Sequence, residues 1–338
     1  MSMMEFVHDA TAAAQPLRAE LVAGPAFELA IGLSTLTRSE RSTTRPGWVP
    51  ELAACSPELQ HAVGLVGVRS GELWLHLLGL ALERPADLVG AVRETPADEL
   101  RRHLVGVHVP AWRALVGGDA LEAAAAGDLA LLDHERYYAG EARDSLGLLL
   151  PLTAAQTKRR VLAVLERFAA EAFDPTVVPE LERDIDAKRR LELPPLQLIE
   201  EATAGYRYEP ETALDRVVLV PHVAARPWLL LCQHRRTRII CYPLRVGEDL
   251  EERTLLLGRA LADEGRIRML RRLAAGDATL TELAETAGVA RSTAHHHLAH
   301  LRAAGLVTMH GNARAYWFTL RRDGLADARR LLGELGGG

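Results

Sequence analysis

Thr279-Leu-Thr-Glu-Leu-Ala-Glu-Thr-Ala-Gly-Val-Ala-Arg-Ser-Thr-Ala-His-His-His-Leu-Ala-His-Leu-Arg-Ala-Ala-Gly-Leu-Val307 decides how this chain is read. Thr279 and Glu282 stand at capping-box spacing, so a helix starts near Leu280. Gly288 lacks a β-carbon and suits the tight turn between two crossed helices, with Val289 tucked into that turn. A second helix follows from about Arg291 to Ala304. Its buried stripe is expected at Ala294, His297 or Leu298, Leu301 and Gly305. The opposite face carries Arg291, Ser292, His295, His296, Ala299 and Arg302.

The flanks extend the pattern. Before it, Gly265-Arg-Ile-Arg-Met-Leu-Arg-Arg-Leu-Ala-Ala-Gly276 is amphipathic, with Ile267, Leu270, Leu273 and Ala274 as its apolar stripe. After it, Leu306–His310 and Ala315–Leu320 read as two strands joined by Gly311-Asn-Ala-Arg314. Helix, turn, helix and hairpin in this order describe a winged helix-turn-helix. Such a reading helix enters the major groove with its N-terminal residues at base edges. Arg291, Ser292, Thr293, His295 and His296 are therefore the candidate base and phosphate contacts. Arg302 lies further along the same helix, and Arg314 at the hairpin tip is placed for backbone or minor-groove contact.

Charge is distributed to match. The chain of 338 residues carries a net −5. From Leu255 onward, however, 12 Arg face 8 Asp and Glu, a net of +4, which leaves −9 for the remainder. A mildly basic module on an acidic body fits a DNA reader joined to a different kind of domain.

Upstream of about residue 246 the chain reads as mostly helical. Candidate helices are Pro25–Leu36, Gly71–Leu82, Ala97–Val107, Thr153–Phe173 and Val177–Leu191. The period then changes. Arg216–Pro221, Trp228–His234 and Thr237–Pro243 are β-prone runs, expected to form a small antiparallel sheet closing this domain. Residues 245–249 form a short polar junction, and a helix over about Leu250–Ala262 leads into the second domain. The expected fold class is thus mainly α: a helical domain over 1–246 and a winged helix over 250–335.

The residues Leu261-Ala-Asp-Glu-Gly-Arg-Ile-Arg-Met-Leu270, Leu283-Ala284, Ser292-Thr-Ala-His-His-His-Leu298, Leu301-Arg-Ala-Ala-Gly-Leu-Val307 and Tyr316-Trp-Phe318 resemble the ArsR/SmtB family of bacterial winged-helix regulators. The resemblance spans Leu255 to Leu332. It implies a homodimeric transcriptional repressor on double-stranded DNA, released by an effector. Two departures stand out. Ala290 occupies the usual serine cap before the reading helix. The family's metal-sensing positions also lack their ligands, since 281–286 has no cysteine and 325–332 no histidine. The N-terminal region loosely resembles the leading domain of long actinobacterial regulators of this type, through Val218-Leu-Val-Pro221 and Ile240-Cys-Tyr-Pro243.

Other constellations weigh less. Within His295-His-His297, adjacent helical residues point about 100° apart, so His296 with His300 is the better-spaced pair; neither is read as a metal site, and no cofactor is expected. His297 reads as structural. Setting Arg236 opposite Thr237 would also set Cys232 opposite Cys241, a conceivable redox pair, although directly opposed cysteines make strained bridges. Trp48, Trp74, Trp112 and Trp228 are candidates to line an effector pocket, with core packing as the plainer reading. Asp184, Asp186, Glu200 and Glu201 read as solvated helix faces. No catalytic residue is assigned. Three cysteines and the absence of a long apolar run or basic leader point to a reducing cytoplasm, with no membrane partner. Two alternatives remain open: a winged helix turned to protein interaction, and an enzyme domain with an appended regulator.

Overall fold

Val217, Leu219, Ile240 and Tyr242 face one core, while Val218, Val220, Ile239 and Cys241 face another. This two-sided burial organises the molecule, and it explains why the segments holding these residues are apolar almost throughout. The computed structural model describes residues 17–38, 48–244, 250–312 and 315–335. Its strands are β1 (Arg18–Leu21), β2 (Arg207–Tyr208), β3 (Arg216–His222), β4 (Leu230–His234), β5 (Thr237–Pro243), β6 (Val307–Gly311) and β7 (Tyr316–Leu320). The chain is otherwise mainly helical.

The first sheet has the order β1-β3-β5-β4. It is mixed rather than antiparallel, which corrects the sequence expectation. β1 and β5 both run parallel to β3, and only β4 pairs antiparallel with β5. The cause is the path of residues 223–229. They leave β3 and pass over the end of β5, so that β4 starts two strand positions away, about 10 Å on. β5 then returns between its neighbours.

One face of this sheet packs on the helical domain. Pro25–Leu36 is almost wholly buried there, and Ala154–Glu171 packs across it and the helices Pro57–Val66, Leu88–Glu94 and Ala97–Val105. Thr153 and Gln156 form a complete capping box at the start of Ala154–Glu171. The expected helix over 71–82 is two helices, Gly71–Leu75 and Leu78–Glu83, which together bury Leu73, Trp74, Leu77 and Leu78 completely. Among the described residues no single helix is long and apolar enough to cross a membrane. Pro57–Val66 and Gly71–Glu83 reach such a length and apolarity only together, as a pair bent by 88°.

The other face of the sheet joins a second core. It runs from Leu219 and Ile240 through Ile185, Ile199 and Tyr206 to Leu257, Met269, Leu283, Leu298 and Phe318. The winged helix therefore does not hang on a tether. β2 adds a parallel strand to the hairpin, giving the order β2-β6-β7, with Arg207 opposite His310 and Tyr208 opposite Gly311. The Gly311 carbonyl accepts both the Glu209 N–H (2.9 Å) and the Tyr206 hydroxyl (3.0 Å), and the Thr308 hydroxyl donates to the Gly205 carbonyl.

Candidate nucleic-acid interface

The helix-turn-helix forms from its local signals. Glu264–Ala274 is capped by Asp263, whose carboxylate accepts the Arg266 N–H at 2.9 Å. Leu280–Ala287 carries the full capping box: Thr279 Oγ1 accepts the Glu282 N–H and Glu282 Oε2 accepts the Thr279 N–H. Gly288 ends that helix in the left-handed region at φ 71°, where a β-carbon would be strained. The reading helix, Arg291–Ala303, starts at Ala290 with no side-chain cap. The wing strands β6 and β7 pair from Val307–Leu320 to Gly311–Tyr316.

Arg291, Ser292 and Thr293 are exposed at the N-terminus of the reading helix, and His295 is exposed one turn on. These groups share the end of the helix where backbone N–H groups are unsatisfied and anions are favoured. Ala294, Leu298 and Leu301 are buried, as their spacing predicts. His297 is half-buried, 3.7 Å from Asp263; burial lowers its pKa and the Asp263 charge opposes that.

Three positions depart from the expected open face, and of these His296 is half-buried. Ala299 is 5% exposed. Arg302 is half-buried, and the loss of solvent lowers its pKa to about 10, with Tyr206 as the opposing influence. Arg302 thus turns toward the N-terminal domain. Arg314 and the junction 245–249 lie outside the described residues.

The reading face also has a neighbour that no local pattern announces. The Trp228 ring lies 4.9 Å from the His295 ring, tilted by 44°, and 4.7 Å from His296, edge-on at 85°. Trp228 sits near the end of the 223–229 crossover, which the core holds firmly. The buried Glu28 carboxylate accepts N–H bonds from Val223 (3.0 Å), Ala224 (2.7 Å) and the Trp48 indole (2.9 Å). Burial raises the Glu28 pKa, and these donors pull it back. His222 Nδ1 accepts the Ala225 N–H at 3.3 Å, which leaves Nε2 to donate to the Trp228 carbonyl at 3.0 Å. Burial pushes the His222 pKa down to about 3, so the ring is neutral.

The tryptophans do not gather into one pocket. Trp74 is core and donates to Ser70, Trp48 packs on Phe168 and Phe173, and Trp112 donates to His76. The cysteine register is corrected as well. The β4–β5 turn is the tight pair Arg235-Arg236, with Arg235 at φ 51°, so the last ladder pair is His234–Thr237. Cys232 then faces Ile239, and Cys241 faces Leu230. The two are diagonal neighbours and both free; the hydrogen bond to Cys232, then burial, push the Cys241 thiol up. Asp184 is not a solvated carboxylate: it accepts the Tyr242 hydroxyl at 2.6 Å and pairs with Lys188. Asp186, Glu200 and Glu201 are exposed.

A family model described as a helix-turn-helix domain matches residues 261–310. That span covers the three helices and most of β6, and with β7 they make a winged helix-turn-helix of the kind found in DNA-binding regulators. No curated protein and no solved structure matches the chain.

Proposed function

We propose that the protein is a sequence-specific transcriptional regulator whose helical domain controls access to its own reading helix. The observation that carries this reading is the contact of Trp228 with His295 and His296, beside an exposed Arg291-Ser292-Thr293. In the state described, three residues are open to a phosphate backbone and two base-reading candidates are partnered by the N-terminal domain. An effector favouring release of Trp228 would raise affinity, and one favouring the contact would lower it.

The resemblance to the ArsR/SmtB family extends this to a repressor acting as a homodimer. Exposed Leu255, on Leu250–Leu261, and exposed Leu325 and Leu332, on Arg322–Leu335, support self-association. These two helices pack together, and large apolar side chains left open on adjacent helices mark an interface. The N-terminal domain is read as regulatory rather than catalytic.

The test is a salt titration of binding to the DNA upstream of the protein's own gene. A reader loses affinity steeply with salt. Arg291→Ala should cost about 1–3 kcal/mol on the preferred site and less on random DNA. Equal losses on both would remove base readout from Arg291; salt-independent binding, or none, would favour a protein-interaction module.

A further inference from the structure

Three histidines and a glutamate, drawn from two segments distant in sequence, meet at one place in the helical domain. Glu99 and His103 stand one turn apart on Ala97–Val105, His108 follows in the next loop, and His234 ends β4. His108 Nε2 lies 2.7 Å from Glu99 Oε1, and His103 Nε2 lies 3.8 Å from the same oxygen. The His103 and His234 rings stack in parallel at 5.3 Å, and His108 is 4.7 Å from one and 5.4 Å from the other. The placement is held from outside. The His108 carbonyl accepts the Arg235 N–H at 2.7 Å, and a β-carbon at Gly79 would stand 2.4 Å from His234 Nδ1.

Two ring nitrogens of this cluster are buried without a hydrogen-bond partner: His103 Nδ1 and His234 Nε2. Their residues are 4% and 8% exposed. Buried imidazole nitrogens are nearly always satisfied, and neutral ones carry a lone pair that a cation can use.

We propose that Glu99, His103 and His108 bind a divalent transition-metal ion of the zinc class, with the His234 ring stacked on His103 beside the site. One donor atom from each of the three lies within 4.8 Å of the others. Bonds of about 2.0–2.2 Å to one ion require donors roughly 3.5 Å apart, so the site closes by about 1 Å with small side-chain rotations. His108 would shift its proton to Nδ1 as Nε2 exchanges the Glu99 hydrogen bond for the metal. Two imidazoles and one carboxylate select a borderline ion over calcium or magnesium, which take oxygen cages. This site is separate from the reading helix, whose own His296 and His300 are the competing surface pair, and the proposal does not depend on DNA binding.

The full chain, stripped with chelator, is titrated with Co²⁺ alone and then with Zn²⁺. Expected are one ion per chain, the visible d–d bands of tetrahedral cobalt, their displacement by zinc, and a zinc-dependent rise in Tm. His108→Gln and Glu99→Gln, each checked for a native circular dichroism spectrum, should weaken binding by more than about 100-fold, since even outer-shell changes cost 10- to 100-fold. The His296→Gln/His300→Gln double variant should bind as wild type. Absence of the cobalt bands in the full chain overturns the site. So does unchanged affinity in either folded single variant, or loss of the bands in the surface double variant.

Discussion

Replacing Trp228 with alanine tests the regulatory reading most directly. The ring makes two aromatic contacts with the reading helix, at 4.9 and 4.7 Å. Each such pair contributes about 0.5–1.5 kcal/mol beyond burial, so the closed arrangement loses roughly 1–3 kcal/mol. If that arrangement dominates, apparent affinity for the specific site rises by about 5- to 150-fold, at 1.4 kcal/mol per decade. The assay is fluorescence anisotropy on the preferred DNA at fixed salt. Trp228→Leu is the companion variant, because it keeps apolar packing where Trp228 meets the helical core but removes the ring contacts. Both should gain affinity. Unchanged or weakened binding by both folded variants would refute the idea that Trp228 restrains the reading helix, and a loss confined to specific DNA would make Trp228 a DNA contact instead.

Three further outcomes are expected. His222 has a folded pKa of about 3 against 6.5 in the unfolded chain; the unfolded state takes up the extra proton, so its stabilising contribution is complete above pH 6.5 and is lost as pH falls toward 3. Between pH 7 and 5 this amounts to about 2 kcal/mol, and urea unfolding of His222→Gln should show that much less acid sensitivity; parallel losses in variant and wild type would count against it. Glu211→Ala strands the buried Arg238 guanidinium, now paired at 2.7 Å with side-chain exposures of 4% and 9%, and should lower stability by about 3–5 kcal/mol, read as the shift in urea midpoint. Leu255→Glu with Leu332→Glu should give a monomer in sedimentation velocity, and an undisturbed dimer would place the interface elsewhere.

The winged helix was legible because its signals are local. Thr279 with Glu282, Gly288, and the apolar series Ala294, Leu298, Leu301 each act within a few residues, and each stands where its spacing predicts. What escaped the sequence is what the chain assembles over long distances. β2 is two residues, Arg207 and Tyr208, whose strand character comes entirely from β6. Trp228 meets the reading helix only because 223–229 crosses the sheet end, a route set by the parallel pairing of β3 and β5. The cysteine register failed on one detail, the left-handed Arg235, which sets the turn one residue earlier than expected. The histidine cluster left one faint trace: Glu99 and His103 at helical i,i+4 spacing with His108 just beyond. His234 had nothing in sequence to link it to them.

The parallel register of β1 on β3 has a consequence for how the chain is made. Arg216 bonds Glu20 across 196 positions. At ribosomal rates of about 5–20 residues per second, β1 leaves the ribosome some 10–40 seconds before its partner exists. During that interval it is an unpaired strand, the kind of edge that recruits foreign chains. Its four residues, Arg18-Ala-Glu-Leu21, are short and alternately charged on the outward face, a composition that discourages pairing with the wrong strand. One of those charges later serves the right strand: Glu20 closes on Arg216 at 2.7 Å. The strand that begins the described chain thus waits for most of the chain's synthesis before its partner exists, and its sequence is suited to waiting.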